Sequence, residues 1–131
     1  MIRDTLITYL SSALNGSGIA VSTELPWSAG NESLYLKNMK KVYLDADQEA
    51  QTELFNCLNP ADDVIQREIS VTGYLAIDAK NPNQTQIDTA LSKLSLARSA
   101  VSNCYIKEYT VTNSTDDDRL VYEINYRFLT L

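Results

Sequence analysis

The chain has no histidine in 131 residues. With it goes the side chain best placed to exchange protons near neutral pH, and with that most general acid–base, nucleophilic and imidazole-ligated metal designs. Two cysteines, Cys57 and Cys104, are too few for a disulfide scaffold or a four-ligand zinc site. Lacking a histidine partner, neither reads as a nucleophile, and both are expected as reduced core residues. Glycine (four) and proline (three) are scarce, and there is no glycine-rich phosphate loop, repeat or linker. Basic residues are outnumbered 11 to 17, and the resulting net charge of −6 disfavours nucleic-acid binding and anionic membrane surfaces. No stretch is long enough to span a bilayer. The first apolar run carries Asp4 and is broken by Thr8, Ser11 and Ser12, unlike a secretory signal. Cytoplasmic synthesis is therefore expected, and the Asn-x-Ser/Thr triplets at Asn15, Asn31, Asn83 and Asn113 read as coincidental.

What is present is ordinary globular composition, 44% hydrophobic and 21% charged, at a length typical of one domain with its own core. Ile2, Leu6, Leu10, Ala13 and Leu14 recur at helical spacing, and the run ends at Asn15-Gly16-Ser17-Gly18. A short strand follows over 19–21, then a loop, Leu25-Pro26-Trp27-Ser28-Ala29-Gly30-Asn31, with the only tryptophan. From Leu34 to Leu58 the pattern is extended. Leu34 and Leu36 alternate, Val42-Tyr43-Leu44 favours a strand, Asp45-Ala46-Asp47-Gln48-Glu49 reads as an exposed acidic excursion, and 59–63 reads as a turn.

The clearest strand places Ile65, Ile69, Val71, Leu75 and Ile77 on one face and Gln66, Glu68, Ser70, Thr72 and Asp78 on the other. Gly73 on the apolar face predicts a bulge or a close helix crossing. Thr85 with Asp88 resembles a capping box opening a second helix, with Ile87, Ala90, Leu91, Leu94, Ala97 and Val101 on its apolar side and an end near Ser102 and Asn103. Two strands, 105–112 and 120–129, close the pattern around a polar insert, 113–118, that reads as too long for a two-residue turn. In the last strand Leu120, Tyr122, Ile124, Tyr126 and Phe128 make the packed face, and Glu123, Asn125 and Arg127 the wet one. The expected fold is α+β: a single domain, 1–131, with a mostly antiparallel sheet of about four to six strands and two α-helices packed on one side.

Few residues point to chemistry. The run from Asp45 begins like a calcium loop but has Ala50 where glycine is needed and Asn56 where the bidentate glutamate belongs, so a solvated acidic loop is expected. Asp116, Asp117 and Asp118 could gather a divalent cation, but consecutive charges at a hairpin tip are ordinarily hydrated. No acid pair stands out as a hydrolase couple. No catalytic residue, cofactor or metal is assigned. Eight tyrosines suit half-buried sheet positions, yet Tyr74 falls on a polar face and tyrosine is enriched at interfaces, as is tryptophan.

The order of elements resembles the tail-terminator proteins of long-tailed bacteriophages. The likeness rests on the acidic tip Asp116-Asp117-Asp118 leading into Leu120-Val121-Tyr122-Glu123-Ile124-Asn125-Tyr126, which is similar to the closing strand of lambda-like terminators. It rests also on Leu34-Tyr35-Leu36-Lys37-Asn38 followed by Lys41-Val42-Tyr43-Leu44-Asp45, and on Asp78-Ala79-Lys80-Asn81. The resemblance covers nearly the whole chain and departs from the simplest members in its longer middle, 34–59.

It implies a virion protein rather than an enzyme: a homo-hexameric ring that caps the tail tube, stops its polymerisation and offers a surface to the head. The implied partners are further copies of the chain, the major tail tube protein and a head-side connector protein, with DNA only as passing cargo. The isolated chain would be monomeric and assemble on the tube end. Candidate subunit or tube contacts are Trp27, Tyr35, Asp45, Asp47, Glu49, Leu54, Phe55 and Tyr74, and a candidate lumen- or partner-facing acidic loop is Asp116, Asp117 and Asp118. Rival readings are another head–tail connector or head-completion protein, a small cellular binding domain, and a metal-dependent hydrolase built on the acidic loops.

Overall fold

A computed structural model describes residues 1–26, 40–55, 64–116 and 119–130, with the side chains of Leu54, Phe55, Val64 and Asp116 excepted. The expected strands near Leu34 and Leu36, the loop around Trp27, the turn at 59–63 and Cys57 lie outside the described residues.

Helix α1 (Ile2–Ala13) forms because Leu6 and Leu10, with Leu14 just beyond, stack at four-residue intervals into one buried stripe. Its exit runs through Gly16 and Gly18, at φ +82° and +84°, where a side chain would be strained. Strand β1 (Ala20–Val21) follows, then β2 (Lys41–Leu44), β3 (Gln48–Phe55) and the long β4 (Val64–Asp78). Helix α2 (Gln84–Leu96) runs into a 3-10 turn (Ala97–Ala100), and β5 (Ile106–Asp116) and β6 (Arg119–Thr130) form a hairpin.

The six strands make one sheet in the order β1-β2-β4-β6-β5, with β3 paired to β4 beyond the end of β2. Every pairing is antiparallel except β1 with β2. β4 is the spine: its second half carries β2, its first half carries β3, and β6 runs along its other side from Arg67 to Asp78. Period-two alternation sends Val71, Leu75 and Ile77 of β4 and Tyr122, Ile124, Tyr126 and Phe128 of β6 to the same face. There they meet Leu6, Leu10 and Leu14 of the α1 segment and Ile87, Ala90 and Leu94 of α2 in one core. Both helices therefore cover one face of a largely antiparallel sheet, the α+β arrangement expected.

Several local expectations are corrected. Gly73 makes no bulge: the register runs unbroken through it, from Leu44 on β2 to Ile124 on β6. Its role is close approach within the sheet, since a Cβ there would lie 2.6 Å from Leu44 Cδ2. Helix α2 is capped by Asn83, whose side-chain oxygen accepts from the Gln86 N–H at 3.1 Å, and not by Thr85. Regular helix stops at Leu96, short of Ser102 and Asn103. Strands β5 and β6 pair all the way to Asp116 and Arg119, so Asn113, Ser114 and Thr115 belong to the ladder and only two residues join the strands.

The face away from the helices is not uniformly wet. Tyr43 is 1% exposed, and Ala76, Val121 and Leu129 are buried there beside the polar Asn125 and Arg127. Cys104 is a free thiol, but half-buried at the edge of the core, not within it.

Candidate interaction surface

Asp45 and Asp47 sit in the bend between β2 and β3. The Asp45 carboxylate accepts from the Ala46 N–H at 2.8 Å, a local turn contact. Asp47 does more. Its two oxygens accept the N–H groups of Ile2 at 2.9 Å and Arg3 at 2.8 Å, capping a helix whose own N-cap, Met1, offers no side-chain acceptor. Arg3 returns the contact through Nε to the Leu44 carbonyl at 2.7 Å and through Nη2 to the Thr23 carbonyl at 2.8 Å. Half of the expected acidic excursion is therefore an internal clamp joining α1 to the sheet. The expectation of a freely solvated loop does not hold at Asp47.

Beyond that clamp, β3 leaves the body of the domain. Residues 48–53 are exposed on both faces of the strand, although all are in register with β4. Glu49 lies 3.7 Å from Arg67 across the ladder, both largely solvated. Leu54 and Phe55 lie in the final turn of this ladder, where the register shifts between Glu53 and Phe55. Tyr74 is half-buried on the face away from the helices, directly opposite Tyr43 on one side and Glu123 on the other. Trp27, Tyr35, Asp117 and Asp118 lie outside the described residues, and Asp116 is placed only by its backbone pairing with Arg119.

The same face carries a charge ladder that sequence pattern did not single out. Arg127 on β6 donates to Glu68 on β4 at 2.5 Å and to Glu108 on β5 at 3.1 Å, tying three adjacent strands together. Gln66 donates to the Tyr105 hydroxyl nearby. Tyr105 is 53% exposed and Ile106 37%, so one corner of the sheet presents apolar surface among these polar groups. Alternation could have placed Glu68 and Arg127 on one face, but only the strand order makes them neighbours.

On the helix side, the Tyr109 and Tyr126 hydroxyls donate to the α2 carbonyls of Leu91 and Leu94. Burial pushes the Tyr109 phenol up to about 12, partly offset by the Arg98 guanidinium over its ring. Burial also raises Tyr126, with a further upward contribution from Tyr109. Both phenols are hydrogen-bond donors packed against α2.

Three surface clefts flank α1. One of about 410 Å3 lies between its C-terminal end and β1, lined by Ser11, Asn15 and Ile19 among others, without an ionisable side chain. A second, about 430 Å3, has Asp4 as its only charged side chain, and a third contains Asp47, already committed to the helix cap. Among the described residues no group of three potential metal ligands converges, and no helix is long and apolar enough to cross a membrane. No protein-family model matches the chain, and no curated protein sequence is significantly similar to it.

Proposed function

We propose that this chain is a structural tail-terminator-like protein of a long-tailed bacteriophage, acting as a ring on the end of the tail tube. The observation that carries the reading is β3, an eight-residue strand that among the described residues pairs only with β4 and is exposed on both faces from 48 to 53. A strand of this kind is a template for another chain, and a monomer gains nothing from leaving it open. The family resemblance of the sequence supplies the context. Its ring would be a homo-hexamer that stops tube growth, with the major tail tube protein on one side and a head-side connector on the other.

The net charge of −6 suits a passage through which DNA slides without adhering. In this reading the chain catalyses nothing and resides at the head-proximal end of the virion tail. The test is electron microscopy of tails assembled with and without the chain. Tubes of uncontrolled length in its absence support a terminator. Tails of normal length that fail to join heads would assign it instead to the connector class.

A further inference from the structure

The exit of α1 sets an asparagine before a glycine in an open turn. Of the ten asparagines in the chain, only Asn15 is followed by glycine. Leu14 (2% exposed) and Ile19 (3% exposed) anchor the segment in the core, while Asn15 and Gly16 between them are exposed. The Leu14 carbonyl accepts from the Ser17 N–H at 3.0 Å, closing a four-residue turn with Asn15 and Gly16 at its centre. Gly16 sits at φ +82°, and a Cβ built on it would meet nothing within 4 Å. Among the described residues, neither the Gly16 N–H nor the Asn15 side-chain amide has a hydrogen-bond partner.

These are the conditions for an asparagine to react with its own backbone. The attacking group is the main-chain nitrogen of the next residue, already tethered beside the side-chain carbonyl, and it attacks best when unbonded, solvated and uncrowded by a side chain. The other described asparagines each lack one of these conditions. Asn81 precedes Pro82, which has no N–H. The Asn83 side chain is committed to the Gln86 N–H as the cap of α2, and that of Asn125 accepts from Thr72 at 3.1 Å. Asn113 is held in the β5–β6 ladder, and Asn103 precedes Cys104, whose side chain crowds the attack.

We infer that Asn15 is a self-modifying site. The Gly16 nitrogen bonds to the Asn15 Cγ, the Cγ–Nδ2 bond breaks, and the amide proton of Gly16 leaves with the departing ammonia. Water then opens the cyclic imide at either carbonyl, giving aspartate or isoaspartate, with no change of oxidation state. Ring closure turns the chain about the Asn15 Cα–C bond and gives up the Ser17–Leu14 bond, a motion that Gly16 and Gly18 permit. The product places a carboxylate on the cleft of about 410 Å3 that otherwise holds no ionisable side chain. It also sets that charge just past the C-terminal end of α1, where the helix dipole opposes it. The inference is independent of the tail-terminator reading.

Ageing the full chain in mildly alkaline buffer tests this, with ion-exchange chromatography to separate forms differing by one charge and peptide mass mapping to locate the change. A more acidic form should accumulate with an equal amount of released ammonia, and Asn15 should convert at least about tenfold faster than any other asparagine. The urea-unfolded chain gives the reference rate, and the native chain should react within about tenfold of it. Asn15→Gln, whose longer side chain closes the ring far more slowly, should suppress the acidic form and leave the circular dichroism melt unchanged. Conversion spread evenly over the asparagines, or an acidic form that persists in N15Q, overturns the inference. So does an Asn15 that survives in the native chain while it reacts in urea.

Discussion

Asp47 and Arg3 hold one another by reciprocal contacts: the Asp47 carboxylate accepts the Arg3 backbone N–H at 2.8 Å, while the Arg3 side chain donates to the Leu44 carbonyl three residues before Asp47 at 2.7 Å. Helix start and strand bend are thereby fixed as one unit, although 44 residues separate them along the chain. Replacing Asp47 by alanine removes the acceptor for two helix N–H groups and should cost about 1–2 kcal/mol in urea denaturation. Asp47→Asn, which keeps one acceptor oxygen, should lose less. Equal losses for the two variants would show that charge, not the cap, carries the contact.

Gly73 and Leu44 make a second coupled pair. A methyl group at position 73 meets Leu44 Cδ2 at 2.6 Å and the Tyr43 carbonyl at 3.3 Å, so Gly73→Ala should destabilise by about 1–3 kcal/mol through overpacking. Leu44→Val in that background trims the colliding side chain and should recover part of the loss. A double-mutant cycle measures the coupling directly, and strict additivity would refute the collision.

The buried phenols make stability fall in alkali. The fold favours neutral Tyr109, whose pKa rises from 10.0 to about 12, and it favours neutral Tyr126 in the same sense. Above pH 10 the unfolded chain releases protons that the folded one retains. This contribution is therefore complete below pH 10 and is lost as pH climbs towards 12. The urea midpoint should decline across that window, and Tyr109→Phe should make the decline shallower. An unchanged slope in the variant would remove Tyr109 from the account.

Magnesium, calcium or manganese should leave the thermal midpoint of the wild-type chain unchanged, because consecutive charges such as Asp116, Asp117 and Asp118 are ordinarily hydrated. A midpoint that rises with cation concentration, and loses that response when Asp116, Asp117 and Asp118 are replaced together by asparagine, would make the tip a cation site.

Periodicity reveals elements well where one face is packed and the other is not. β4 and α1 are legible for that reason: Val71, Leu75 and Ile77 alternate, and Leu6 and Leu10 are one turn apart. Composition misleads at the hairpin tip: Asn113, Ser114 and Thr115 have the composition of a loop, yet they lie in a ladder whose partner residues, Val121 and Tyr122 among them, hold them in register. Burial of Tyr43 and Leu129 on the supposedly wet face depends on tertiary surroundings that alternation does not encode. Of the candidate contact residues, Glu49 is exposed on β3, whereas Asp47 turns inward to the start of α1. A carboxylate in a polar run gives no local sign that its partners are helix N–H groups 44 and 45 residues away.

The placement of β6 bears on how the chain acquires its shape during synthesis. This strand lies between β4 and β5 and contacts both along nearly its whole length, yet it is the last of the six to leave the ribosome. Until residue 130 has emerged, β4 has one flank vacant and the apolar sides of both helices face an incomplete floor. The nascent domain must therefore wait for its middle, and a ribosome stalled before β6 has emerged would present chaperones with an open sheet.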